Sequence, residues 1–193
     1  VRVIQESFGV TDVSKVFGIV NGTTNFILSE MAATGAAYEE VLGRAQELGY
    51  AEADPTDDVT GADAAAKMAI LARLAFHTSV TLSEVAYEGI EAIQPDDLSY
   101  AKEFGLSLKL LGVAERRNGG ISVRVFPCFL YGGHPLAPIS GSFNAVMVEA
   151  PSITEVTMSG PGAGGVQTAS AVLGDVVSVL AGEAPLPETR TEL

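Results

Sequence analysis

Lys67 is the residue around which chemistry could be built. It lies in AAAKMAILA, an almost wholly apolar stretch, four residues after Asp63. The segment YAEADPTDDVTGAD (residues 50–63) places five carboxylates just upstream, Glu52, Asp54, Asp57, Asp58 and Asp63, with no basic residue among them. Carboxylates at this density repel one another unless something cationic sits among them. Asp63 and Lys67 at i, i+4 share a face of one predicted helix, with the acid first, which is the favourable order. Spacing alone leaves two readings open. The pair can be a helix-start ion pair contributing about 0.2–0.5 kcal/mol, with the other acids solvated. Or it can be a lysine held among carboxylates to give and take a proton. A calcium loop does not fit, because an EF-hand needs acids at alternate positions and a glycine at its sixth, and here Pro55 and Thr56 separate Asp54 from Asp57.

A second motif, GPGAGG, satisfies G-x-G-x-x-G with Gly160, Gly162 and Gly165. A dinucleotide fold also needs a parallel strand ending in an acid about 20 residues on, and the short remainder of the chain cannot build one. A tight strand-to-helix turn fits these glycines as well as a cofactor contact does. No lysine follows them, which excludes a P-loop. His77 and His134 have no partner at ligand spacing, so no metal site is expected. Cys128 is the single cysteine, which rules out an internal disulfide or a thiolate cage and leaves a small buried hydrophobe. The glycosylation-like pattern Asn21-Gly22-Thr23 is read as chance in a chain without a secretory signal.

These residues need elements to hold them. The opening VRVIQES begins mid-element, with an apolar start and no cap, and reads as a cut end. A strand over KVFGIV (15–20) runs into NGTTNFILSEM, where Thr23 or Thr24 can cap a helix with Phe26, Ile27 and Met31 on one side and Gly35 as its stop. A helix over 38–48, with Val41, Leu42, Ala45 and Leu48 at helical spacing, should pack on it as a hairpin. Asp63 is placed to cap the Lys67 helix, which runs through AAAKMAILARLAF (64–76). A helix follows over 95–104, opened by Pro95. Then the period changes: LSLKLLGVAE and ISVRVFPCFL form a hairpin around Asn118 and Gly119, with further strands in FNAVMVEA and SITEVTMS and a last helix over 168–180. The fold class is α+β, a mixed, largely antiparallel sheet covered by helices on one face. The Pro- and acid-rich tail, 183–193, is expected to fray.

Composition closes off several classes of function. The chain of 193 residues is large enough for a proper core. With 11 basic against 24 acidic residues its formal net charge is −13, a field that repels phosphate backbones and acidic lipid, so neither nucleic acid nor membrane is an expected partner. No apolar run reaches the roughly 20 residues of a membrane helix, and the lone cysteine agrees with a reducing, cytoplasmic setting.

Taken together, the motifs resemble the homoserine dehydrogenase family. Four stretches carry the resemblance: GIVNGTTNFIL (18–28), LGYAEADPTDDVTGADAAAKMAILA (48–72), HPLAPISGSFNAV (134–146) and GPGAGGVQTASAVLGD (160–175). The second is long and highly specific. The match corresponds to the middle and later part of such an enzyme, so the nucleotide-binding domain, and the loop that holds sodium in some members, would precede Val1. The resemblance implies NAD(P)-dependent interconversion of L-homoserine and L-aspartate 4-semialdehyde, toward threonine, methionine and isoleucine, with NAD(P) bound mainly by the domain absent from this chain. It implies Lys67 as proton donor and acceptor, Asp63 and Glu52 in contact with substrate, and Asp58 in support of the lysine. Gly22, Thr23 and Tyr50 would line the substrate pocket, and Gly49, Gly160 and Gly162 would lie near the cofactor. On this reading residues 1–159 form a substrate-binding, catalytic and dimerisation domain, and the strands from 106 onward serve a homodimer. Residues 160–182 form a glycine loop and helix that pack on the nucleotide domain. The fragment alone would be inactive. The competing reading is a non-catalytic dimerisation or regulatory module of the same fold, against which Glu52, Asp58, Asp63 and Lys67 argue by occurring together.

Overall fold

The computed structural model of the chain describes residues 1–117 and 119–182. The hairpin tip at Asn118 and the tail 183–193 therefore lie outside the described residues. The elements run α1 (Arg2–Ser7), β1 (Lys15–Ile19), α2 (Gly22–Thr34), α3 (Tyr38–Glu47), α4 (Thr56–Val59), α5 (Ala62–Phe76), a 3₁₀ turn (Leu82–Glu84) and β2 (Ala86–Tyr87). They continue with α6 (Pro95–Glu103), β3 (Leu106–Arg117), β4 (Gly120–Tyr131), β5 (Phe143–Ala150), β6 (Thr154–Pro161) and α7 (Gly165–Leu180). The six strands make one sheet in the order β2-β4-β3-β1-β5-β6. Only the short β2 pairs in parallel, so the sheet is mixed and mainly antiparallel, as the alternation of the later segments predicts.

Helices cover one face. Ile27 and Met31 of α2, Ala65, Met68 and Ala72 of α5 and Leu98 of α6 pack against Val16, Leu110, Ala114 and Val125 of the strands. Gly18 of β1 lies opposite Gly112 of β3, and the fully buried Met68 drops onto this pair. A Cβ at Gly112 would stand 2.3 Å from Met68 Cγ, and one at Gly18 would stand 3.1 Å from its sulfur. This close approach sets the height and rotation of α5 on the sheet. The opposite face carries a smaller cluster of Ile19, Leu111, Val113, Leu130 and Met147, on which Leu136 and Ala137 of the β4–β5 connection pack.

Several boundaries depart from the sequence expectation. Asn21, not Thr23 or Thr24, caps α2: its backbone is extended and its Oδ1 accepts the Thr24 N–H at 2.9 Å. Gly61, not Asp63, precedes α5, because the four-residue α4 occupies the preceding segment and the chain leaves it through the left-handed backbone of Gly61 (φ +86°). Asp63 is thereby moved into the first turn of α5, with its carboxylate free for other partners. Gly160 is not in a loop. It is a strand residue of β6, paired with Asn144 of β5, and α7 starts at Gly165 rather than Thr168. The opening residues form α1, which buries Ile4 and carries no side-chain cap.

Candidate active site

The seating of Met68 carries its neighbour Lys67 to the end of β1, where the chain turns into α2. There Lys67 Nζ donates to the Val20 carbonyl at 3.2 Å and pairs with Asp63 Oδ2 at 2.8 Å. Its side chain keeps 47% of its exposure, so the amine is tethered yet open to a ligand. Asn21 sits behind the pair, almost fully buried. Its Nδ2 donates to Asp58 Oδ1 at 2.6 Å and to Asp63 Oδ2 at 2.8 Å. Its Oδ1 accepts from both the backbone N–H and the hydroxyl of Thr24. Asp58 thus reaches Lys67 through Asn21 and Asp63. In the sequence alone Asn21 is only the first residue of a glycosylation-like pattern. Its partners lie 37 and 42 residues away, and only the tight β1–α2 turn signals that it is more than a cap.

A cleft of about 400 Å³ opens beside this group, lined by Glu52, Asp54, Asp57, Asp58, Asp63 and Leu82. Four of the five carboxylates of the acidic segment come from α4 and its approach, and α5 supplies the fifth. Asp54 is held below the usual carboxylate range, first by the hydroxyl of Thr56 and then by its N–H, so it stays ionised. The cleft is strongly anionic and suits a cationic ligand group.

The remaining expected residues fall into two places. Gly22 opens α2, pressed against the loop before β5: a Cβ there would meet the Ser142 carbonyl at 2.8 Å. The Thr23 hydroxyl donates to the Tyr50 carbonyl at 2.7 Å, and the Tyr50 ring packs on Phe26 with centroids 4.6 Å apart. Gly22, Thr23 and Tyr50 are therefore one neighbourhood, and Gly49, with φ +77°, makes the turn that brings Tyr50 there. Gly162 belongs to the β6–α7 turn. A Cβ at Gly162 would lie 2.0 Å from Asn144 Nδ2, and Asn144 Oδ1 would lie 3.5 Å from a Cβ at Gly22. The Asn144 carboxamide thus bridges the glycine turn and the start of α2. No other part of the chain stands within 4 Å of a Cβ built at Gly49 or Gly160, whereas Gly162 is filled from within and serves the turn. His77 ends α5 in a left-handed conformation, and His134 Nδ1 accepts the Leu136 N–H; neither faces the cleft lining. Among the described residues, no group of three His, Cys, Asp or Glu side chains is placed to hold a metal ion, and no helix is long and apolar enough to cross a membrane.

A family model described as homoserine dehydrogenase matches residues 1–177. The chain is 48% identical over 179 residues to the homoserine dehydrogenase of Bacillus subtilis and 51% identical over 182 residues to that of Mycobacterium leprae, covering 93% and 92% of this chain and 41% of each relative. The crystal structure of a homoserine dehydrogenase from Thiobacillus denitrificans superposes with a TM-score of 0.92 at 39% identity, over 98% of this chain and 46% of the other. A hyperthermophilic archaeal homoserine dehydrogenase in complex with NADPH superposes with a TM-score of 0.79 at 26% identity, over 96% of this chain and 53% of the other. The chain spans about two-fifths of the length of these curated relatives.

Proposed function

We propose, because this chain belongs to the homoserine dehydrogenase family, that it forms the substrate-binding and proton-transfer part of an enzyme interconverting L-homoserine and L-aspartate 4-semialdehyde with NAD(P). The observation that carries this reading is the amine of Lys67 tethered between the Val20 carbonyl and Asp63, a carboxylate that itself lines the acidic cleft. An ammonium has three N–H groups. Two are engaged here, and the third serves the reacting oxygen. Nicotinamide, when bound, supplies or takes the hydride. Lys67 protonates the alcohol oxygen as the aldehyde is reduced and recovers that proton as the alcohol is oxidised.

The same geometry sorts the ends of the amino-acid substrate. Its α-ammonium fits Glu52 and Asp63 in the cleft, with Asp58 in support of the lysine through Asn21. Its carboxylate fits the first N–H groups of α2, at Gly22 and Thr23, where the helix dipole favours an anion. The open space at Gly49 and Gly160 suits the nucleotide, whose binding we assign mainly to the part of the enzyme outside this chain. Helix α7, whose apolar side chains are exposed, is the element that packs on that part. The homodimer is formed through the strands from 106 onward. The enzyme acts in the cytoplasm, on the route to threonine, methionine and isoleucine.

The test is kinetic. In the intact enzyme, Lys67→Ala lowers kcat for NAD(P)H-dependent reduction of aspartate semialdehyde by roughly 100-fold or more, in line with general acid–base contributions. Turnover near wild type in a folded variant would refute the assignment.

A further inference from the structure

We infer that Asn21 is a positioning residue for the proton-transfer step: its carboxamide fixes Asp58 and Asp63 as a pair of acceptors and so aims the Lys67 ammonium. This rests on the proposed role of Lys67 and adds to it a residue that acts only through that lysine.

Three observations converge. The first is orientation. Asn21 Oδ1 takes two donors from Thr24, the backbone N–H at 2.9 Å and the hydroxyl at 3.0 Å, which commits the amide oxygen to α2 and the amide nitrogen to the acids. The reverse orientation would set an oxygen against two carboxylates and strand the Thr24 N–H, while the Thr24 hydroxyl would keep only the Asn21 backbone carbonyl at 3.2 Å. The second is stoichiometry. The –NH₂ group has two hydrogens, and there are two acceptors, Asp58 Oδ1 at 2.6 Å and Asp63 Oδ2 at 2.8 Å. Every polar atom of the side chain is used, on a residue that is itself almost closed to water. The third is sharing. The oxygen of Asp63 that receives Asn21 is the same Oδ2 that pairs with Lys67.

The consequence is geometric. Asp63 lies on α5 with about a third of its side chain exposed, and a carboxylate so placed can rotate about two side-chain torsions. The bond from Asn21 removes that freedom, because Oδ2 must stay where both donors meet. Lys67 is then held by two fixed acceptors, Asp63 Oδ2 and the Val20 carbonyl. Val20 is the residue just before Asn21. One backbone turn therefore supplies both fixed points, the carbonyl directly and the carboxylate through the amide. A misplacement of about 1 Å in such an arrangement can cost a factor of roughly 100 in rate. Asn21 also separates two like charges, which without a shared donor would turn away from each other.

The helix-capping role of Asn21 must be separated from its positioning role, and Asn21→Ser does this. Serine caps a helix as well as asparagine does, but its one hydroxyl cannot both accept from Thr24 and donate to two acids. In the intact enzyme we expect Asn21→Ser to keep a melting temperature close to wild type while kcat falls ~10- to 100-fold and the KM for NAD(P)H stays unchanged. In a Lys67→Ala background the same substitution should cost no further activity, since Asn21 acts through the lysine. Asn21→Asp, which also caps, serves as the second variant should the serine form fold poorly, and it should lose at least as much kcat by adding a third carboxylate. Wild-type kcat in either folded variant overturns the inference, and so does an undiminished effect in the Lys67→Ala background. If Lys67→Ala itself retains turnover, it is the reading of Lys67 that has failed, and the two failures are told apart by the single variants.

Discussion

Lys109 poses a residue-scale problem in charge burial on the face of the sheet away from the helices. It is 5% exposed, and its ammonium donates to Asn25 Oδ1 at 3.1 Å and to the Ile139 carbonyl, both uncharged. Burial without an opposite charge disfavours the ammonium, and the amine is pushed down from 10.5 to about 8. The sign of the pH effect follows from which state holds the proton. Between these values the unfolded chain binds a proton that the folded chain has released, so stability rises with pH across the window. The relief amounts to about 2 kcal/mol by pH 9.5. Two groups act the other way. Burial pushes the Cys128 thiol up, and burial together with Glu91 and Glu39 pushes the Tyr38 hydroxyl up to about 12. Both lose stability as their unfolded forms ionise. Urea unfolding of wild type and Lys109→Met at pH 7.5, 8.5 and 9.5 removes their contribution by difference. Wild type should gain on the variant steadily with pH, and parallel curves would show that the amine is not destabilised by burial. Lys109 matters to the site because Asn25 also donates to the carbonyls of Ile139 and Phe143, which pins the loop that presses Ser142 against Gly22.

At the scale of elements, the acidic cleft depends on how α4 is anchored. Gly89 crosses the end of α4 so closely that a Cβ there would stand 1.9 Å from the Val59 carbonyl and 2.5 Å from the Thr60 Cα. The next residue, Ile90, donates its N–H to that same carbonyl at 2.8 Å. Gly89→Ala meets backbone, which cannot swing aside as a side chain can, so the crossing must open. Destabilisation of about 2 kcal/mol or more is expected by chemical denaturation, together with a fall in kcat as Asp58 moves away from Asn21. A wild-type melting curve would show that the crossing is looser than the contact distances require. The long elements were legible in the sequence because their signals are local: the 3.6 period of α3, the Ala-rich apolar run of α5, the alternation of β3 to β6, and Gly35 as the left-handed stop of α2. So was the pairing of Asp63 with Lys67, one helical turn apart. What was not legible depends on long-range partners. Four acid-rich residues carry no helical period, so α4 could not be seen, and with it went the placement of Gly61 before α5. Gly160 reads as a loop residue until Asn144 supplies its strand partner. Asn21 reads as part of a chance glycosylation-like pattern until the fold brings Asp58 and Asp63 to it.

At the scale of the whole molecule, α7 is the element that this chain alone does not account for. It is 16 residues long, and Val172, Leu173, Val176 and Val177 are all roughly half exposed or more. Its tie to the rest includes the Arg2–Asp175 bond at 2.7 Å, between groups that are themselves well exposed and so contribute little. A helix with this much apolar surface gains stability only when something covers it. The relatives are more than twice as long as this chain, which covers 41% of them, and the proposed occupant is the nucleotide-binding part of the same enzyme. Leu173→Glu examines this in the intact enzyme. A carboxylate on a side chain already 63% exposed in this fold disturbs nothing within residues 1–182, whereas in a covered interface it would be desolvated without a partner and would destabilise by several kcal/mol. The variant should melt at lower temperature than wild type and show a raised KM for NAD(P)H, with the KM for aspartate semialdehyde less affected. If neither the melting temperature nor the nucleotide KM changes, α7 faces solvent in the enzyme as well, and the nucleotide-binding part must be seated elsewhere on the chain.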